Sequence, residues 1–187
     1  MVRICSLMAA LMIVAGPAQG TDWSDQLSRA VEMPSHRWLA EKRATGNGPN
    51  EFTTDGCSGG MSSIWTFFAE QFPVFAEAHG GVPPWETCCV THDRAYHLAG
   101  PDPTPEASYD ARLTADETLR QCVEETASDR DAVLMEEYGM TPSQVRTAYR
   151  AISESMFQAV RLGGGPCTGL PWRWGYGYPQ CWDRSAE

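Results

Sequence analysis

Six cysteines, Cys57, Cys88, Cys89, Cys122, Cys167 and Cys181, follow an apolar opening segment, and cross-linking on that scale restricts the possible folds more than any helix propensity does. The opening segment has Arg3, an apolar run from Ile4 to Ala15, and the small residues Ala18 and Gly20 before a cut. That layout predicts a secretory signal peptide over 1–20, cleaved after Ala18 or Gly20. The apolar run is about 12 residues long, too short for a membrane span, which needs about 20. Cleavage removes Cys5 and leaves an even set, so the mature chain is expected in an oxidising compartment, secreted or periplasmic. Six cysteines allow about fifteen pairings into three disulfides, and counting alone does not choose among them.

Charge narrows the partners. Against 14 Lys and Arg stand 24 Asp and Glu, a formal charge of −10 that becomes −11 once Arg3 leaves with the leader. A nucleic-acid binder needs a basic face that displaces phosphate counterions, so nucleic acid is excluded as a partner. Docking by attraction to anionic lipid is disfavoured for the same reason. Hydrophobic residues make up 42% of the chain, enough for a core. No segment after the leader is long and apolar enough to span a bilayer, so the expectation is one domain over 21–187, monomeric and without a transmembrane segment.

The element pattern is mainly α, with no useful run of strand alternation. Residues Thr21 to Arg43 predict short amphipathic helices interrupted at Pro34. Ala44 to Gly60 is turn-rich. Met61, Trp65, Phe68, Phe72 and Phe75 recur at helical spacing and read as core, with a break at Pro73. Helices are expected over Thr87–Leu98, over Glu106 to about Thr126, and over Pro142–Leu162, the last with Val145, Tyr149, Ile152, Met156 and Val160 on one stripe. The tail alternates Trp172, Trp174, Tyr176 and Tyr178, suited either to packing or to a lipid interface, where such rings favour the headgroup level.

The chemistry concentrates in Cys88-Cys89-Val90-Thr91-His92-Asp93-Arg94-Ala95-Tyr96. Neighbours on a helix project about 100° apart, so His92 and Asp93 address different walls of a cleft. That geometry suits a division of labour in which the imidazole handles protons and the carboxylate holds a cation. On the next helix Asp116 lies six residues before Cys122. An imidazole held by such a carboxylate has one tautomer and is a better base.

These residues resemble the secreted phospholipases A2. That superfamily carries a Cys-Cys-x-x-His-Asp-x-x-Tyr helix, found here from Cys88 to Tyr96, then an Asp six residues before a Cys, as Asp116 and Cys122 stand. Upstream, Asp55-Gly56-Cys57-Ser58-Gly59-Gly60 is similar to its calcium loop. The match covers about Thr54 to Cys122. Asp55 stands where the common form has a second loop cysteine, and 30 residues (Ser58 to Thr87) separate the loop cysteine from the pair. Both features look more like the divergent group XII and microbial branches.

The resemblance implies a fold with a disulfide-linked pair of antiparallel helices, a calcium loop, extra helices and a clipped tail. Its implied disulfides are Cys57–Cys89 and Cys88–Cys122, leaving Cys167–Cys181 for the tail. It implies Ca2+-dependent hydrolysis of the sn-2 ester of glycerophospholipids at a membrane or micelle interface. His92 is then the general base, oriented by Asp116, with Tyr96 supporting Asp116 and Tyr109 the nearest candidate for a second supporting tyrosine. Asp93 and the carbonyls of Gly56, Ser58 and Gly60 are the implied calcium ligands, a hard oxygen set that suits the ion. The alternative on the same scaffold is a non-catalytic protein that binds calcium and engages lipid or a protein. Zinc held by Cys88, Cys89 and His92 is a weaker alternative in an oxidising compartment.

Overall fold

The computed structural model describes residues 23–57 and 62–182. The expected leader, and Ser58 and Gly60 of the expected calcium loop, lie outside the described residues. Seven helices and no strand occur among the described residues: α1 Trp23–Thr45, α2 Ser62–Gln71, α3 Pro73–Ala78, α4 Glu86–Leu98, α5 Pro105–Glu125, α6 Ala127–Tyr138 and α7 Pro142–Gly163. None of them is long and apolar enough to cross a membrane.

Helix boundaries follow local chemistry. Pro73 ends α2 and occupies the first turn of α3, where its missing N–H costs nothing. Pro105 opens α5 after extended Thr104. Thr141 caps α7 through a reciprocal box with Gln144, and Pro142 follows it. Helix α4 stops where Ala99 and then Gly100 take left-handed backbone, at φ 56° and 78°.

Two elements differ from expectation. Helix α1 runs unbroken through Pro34. Proline frees the carbonyl four residues back, and both Ala30 and Pro34 face solvent, so that carbonyl is open to water. The inward face, with Glu32, His36 and Leu39, packs on α5 and compensates for the lost bond. Helix α6 lies in a stretch with no strong periodicity, and its Leu134 is buried in the core against α7.

Helix α5 is the hub, packing against α1, α4 and α7. Disulfides join Cys57 to Cys89, Cys88 to Cys122, and Cys167 to Cys181, the three pairs that the resemblance implies. With both thiols bonded, Cys88 and Cys89 are not zinc ligands. The Cys88–Cys122 bridge ties the first half of α4 to the last turn of α5. One apolar core surrounds it, with Phe75, Trp85, Leu119, Val123, Tyr149 and Met156. Within the expected aromatic stripe, Phe75 is buried and Trp65 and Phe72 pack partly against this core; nothing is described of Met61 or the Phe68 side chain.

A second core holds Leu39, Tyr96, Ala99, Ala115, Trp174 and Tyr178. The tail builds much of it. Gly175 N–H donates to the Tyr96 carbonyl (2.7 Å) and Gly177 N–H to the His97 carbonyl (3.2 Å), satisfying orphan groups at the end of α4. The Trp174 indole donates to Ser108 Oγ (2.9 Å), and its ring meets Tyr96 edge-on. Of the tail alternation, therefore, Trp174 and Tyr178 pack inward and are unavailable to a lipid interface.

A Cβ at Gly177 would sit 2.7 Å from both the His97 carbonyl and its Nε2, whereas one at Gly165 would only touch Thr168 at 3.7 Å. Gly177→Ala is expected to lose about 1–3 kcal/mol in denaturant unfolding, and Gly165→Ala to remain near wild type.

Candidate functional site

Helix α4 places Cys88, Cys89, His92 and Tyr96 on its buried side, while Asp93 lies half-buried at its margin. Helix α5 brings Asp116, fully buried, opposite them. His92 Nε2 lies 2.9 Å from Asp116 Oδ1, and the Tyr96 hydroxyl donates to the same oxygen at 2.7 Å. An ionised carboxylate only accepts, so Nε2 carries the hydrogen and Nδ1 of the neutral ring keeps its lone pair. Burial, then the charge of Asp116, pushes the Tyr96 hydroxyl well above the ordinary tyrosine range, so it stays a neutral donor.

The other oxygen of Asp116 accepts from Arg161 Nη1 of α7 (3.0 Å), with Arg112 Nε 4.0 Å away. Tyr109, the nearest candidate for a second supporting tyrosine, instead lies beneath the Arg161 guanidinium, 5.6 Å from ring centre to Cζ. Glu32 of α1 pairs with Arg161 Nη2 (2.7 Å) and with Arg112 Nη1. Arg112 also donates to the Val160 and Arg161 carbonyls (2.7 and 2.9 Å), closing the end of α7. His36 sits beside Glu32 and bonds Ser108 (3.0 Å). Burial acts to lower the proton affinity of Arg112, but the neighbouring carboxylates of Asp116 and Glu32 outweigh it and hold the guanidinium charged.

Sequence reasoning missed Glu32, Arg112 and Arg161. Arg112 stands four residues before Asp116 on α5, a spacing that could have signalled an acid–base pair. Glu32 and Arg161, 129 residues apart, carried no local sign.

Beside this network lies a cleft of about 180 Å³. His92, Asp93 and Tyr96 line it, with Gly56 and Asp55 at its edge, and Leu119, Met156, Ala159, Val160 and Trp172 form an apolar wall. A larger apolar groove of about 700 Å³, on the other side of α4 and α5, also reaches His92. It lacks Asp93 and Gly56, so only the smaller cleft combines the imidazole with a carboxylate and the loop.

The loop is held to α4 by Thr54, whose hydroxyl donates to Asp93 Oδ2 (2.5 Å) and accepts from Gly56 N–H (2.9 Å). The Glu86 carboxylate presses on Gly56, where a Cβ would come within 1.8 Å of Oε1, and accepts from Cys57 N–H (3.3 Å). Gly56 also has φ +65°, so glycine is required there on both counts. Burial raises the Asp93 carboxyl above its ordinary value; Thr54 and His92 oppose this, while like charge from Asp55 and Glu86 adds to it. Negative charge gathered at a half-buried carboxylate is the electrostatic environment a hard cation relieves. Among the described residues no three His, Cys, Asp or Glu side chains enclose a metal. A cation here would thus rest on Asp93 with backbone carbonyls such as that of Gly56. Comparison with protein-family models, curated proteins and solved structures finds no match to this chain.

Burial would raise the Glu32 carboxyl, but His36, Arg112 and Arg161 outweigh it and hold it below its ordinary 4.5. A depressed carboxyl contributes stability that is present above pH 4.5 and is lost as pH falls through the folded value. Glu32→Gln should lose about 3 kcal/mol at neutral pH and flatten the acid-side fall in unfolding free energy below that point.

Proposed function

We propose that the chain is a calcium-dependent phospholipase A2 that hydrolyses the sn-2 ester of glycerophospholipids. The observation that carries this reading is the His92–Asp116–Tyr96 hydrogen-bonded set beside a cleft that pairs Asp93 with an apolar wall. The Cys88–Cys122 bridge supports the antiparallel helix pair of that family, and three disulfides support export to an oxidising compartment.

In this reading an acyl chain lies along Leu119, Met156 and Val160, which brings its ester to His92. Nδ1 of His92 takes a proton from water as it attacks the ester carbonyl. The imidazolium that forms is stabilised by Asp116, and the proton then passes to the leaving alcohol oxygen. Tyr96 keeps Asp116 in place by its hydrogen bond. Asp93 and the Gly56 carbonyl, with Ser58 and Gly60 carbonyls, would hold calcium. When bound, the ion supplies positive charge to the ester oxygen as it becomes an oxyanion, a kind of stabilisation worth roughly 3 kcal/mol.

Contact with the lipid surface falls to α1. Its inward face carries Glu32 and His36 beside the core residue Leu39, while Trp23 (86% exposed), Leu27, Val31 and Trp38 (54%) form an apolar stripe on the opposite side. Tryptophans at both ends of the stripe suit insertion at headgroup level, and the acidic chain leaves little electrostatic attraction to anionic lipid. Trp38→Ala and Trp23→Ala are expected to weaken vesicle partitioning in a sedimentation assay, with little dependence on salt. A strong, salt-sensitive preference for anionic vesicles would contradict this.

Fatty-acid release from phosphatidylcholine vesicles tests the whole reading. Release is expected with calcium and not with EDTA, and His92→Gln should lower it by at least about 10³-fold. Asp93→Asn should abolish both the release and the rise in thermal midpoint that calcium produces in the wild type. Calcium-dependent stabilisation without release would favour the non-catalytic binding protein.

A further inference from the structure

We propose that Arg161, gripped by Glu32, is a positioning residue for the reaction, so that α1 and α7 act on the proton-handling centre without touching substrate. The inference rests on His92 being the general base. Two donors on Asp116, His92 and Tyr96, both come from α4 and hold only Oδ1, so they do not by themselves fix the plane of the carboxylate. Arg161 Nη1 takes Oδ2 at 3.0 Å from a different helix and closes that freedom. A carboxylate anchored from two sides holds one plane, and the imidazole bonded to it holds one orientation.

Arg161 is itself anchored. Its Nη2 reaches Glu32 Oε1 at 2.7 Å, so one guanidinium spans two carboxylates, a task its planar fork performs and a lysine ammonium does not. Arg112, fully buried, bonds the Val160 and Arg161 carbonyls and so fixes the turn of α7 from which the Arg161 side chain departs. Arg112 and Arg161 meet the two acids Glu32 and Asp116, which balances charge in a region shielded from water. Helix α7 directly, and α1 through Glu32, thereby join α4 at one carboxylate of α5, and the side of α1 opposite its apolar stripe becomes part of the catalytic framework.

The test is steady-state hydrolysis of phosphatidylcholine vesicles with saturating calcium, alongside proton NMR. Arg161→Gln should lower kcat roughly 10- to 100-fold with KM within about twofold. Arg161→Lys should fall between that variant and wild type. Glu32→Gln should lower kcat in the same direction, and adding it to Arg161→Gln should cost no more than Arg161→Gln alone, because both act through one contact. Wild-type kcat in Arg161→Gln or Arg161→Lys, or fully additive losses, would overturn the proposal. If near-UV circular dichroism shows that Arg161→Gln does not fold, the lysine variant decides by the same criterion. The Nε2–H proton shared with Asp116 gives a reading independent of turnover: a downfield resonance absent from His92→Gln, expected to shift in the folded Arg161 variants. An unmoved resonance overturns the positioning role. A shifted resonance in a protein that releases no fatty acid rejects the reading of His92 as base, and with it the catalytic part of the proposal, and leaves only the anchoring of Asp116.

Discussion

A carboxylate with no access to water, Asp116, is the constraint from which the arrangement of the helices follows. Burying an unpaired charge costs several kcal/mol, a large share of the net stability of a domain of this size, so partners must be assembled around it. Helix α4 supplies His92 and Tyr96, α7 supplies Arg161, and α5 itself supplies Arg112 one turn away. Two guanidinium groups beside one carboxylate would in turn be unbalanced. Glu32 restores neutrality, and this gives α1 a reason to lie against α5 with its charged side inward.

Covalent and ionic links divide the work between the two ends of the α4–α5 pair. At one end, disulfides bind the first turns of α4 to the last turn of α5 and to the loop at Cys57. Their stabilisation acts largely on the unfolded chain, by removing conformations it would otherwise explore. At the other end the tail, clipped by Cys167–Cys181, brings Gly175 and Gly177 against the last carbonyls of α4 and Trp174 beneath Tyr96. Between these ends His92 and Asp116 are held by groups whose own positions are determined. The cleft beside them inherits an apolar wall from α5, α7 and the tail and a negative rim from Asp55 and Asp93, with the charge of Glu86 close behind.

Much of the local structure was legible in the chain. The turn residues and prolines mark the starts of α3, α5 and α7 and the end of α4 because they act through bonds to residues a few positions away. Pro34 misled, since a proline breaks a helix only when the freed carbonyl has nowhere to go, and solvent exposure on that side is a tertiary property. The tail alternation read equally as interface or packing, because periodicity says which side chains share a face and not what covers it. Trp174 and Tyr178 proved to be covered, and the exposed apolar stripe lies on α1.

By itself the sequence determined the residue types of the candidate chemistry: a His-Asp doublet beside paired cysteines, an Asp six residues before Cys122, and a glycine-bearing loop at Gly56. Short-range spacing carries that information, since a helix converts it directly into direction. Only the tertiary structure decided that Asp116 is anchored from α7 through Arg161 and that Glu32 joins the set, because ion pairs between residues 129 apart leave no periodic trace. The same packing decided which of two clefts beside His92 also holds a carboxylate, since a cleft belongs to the space between elements and to no single one of them.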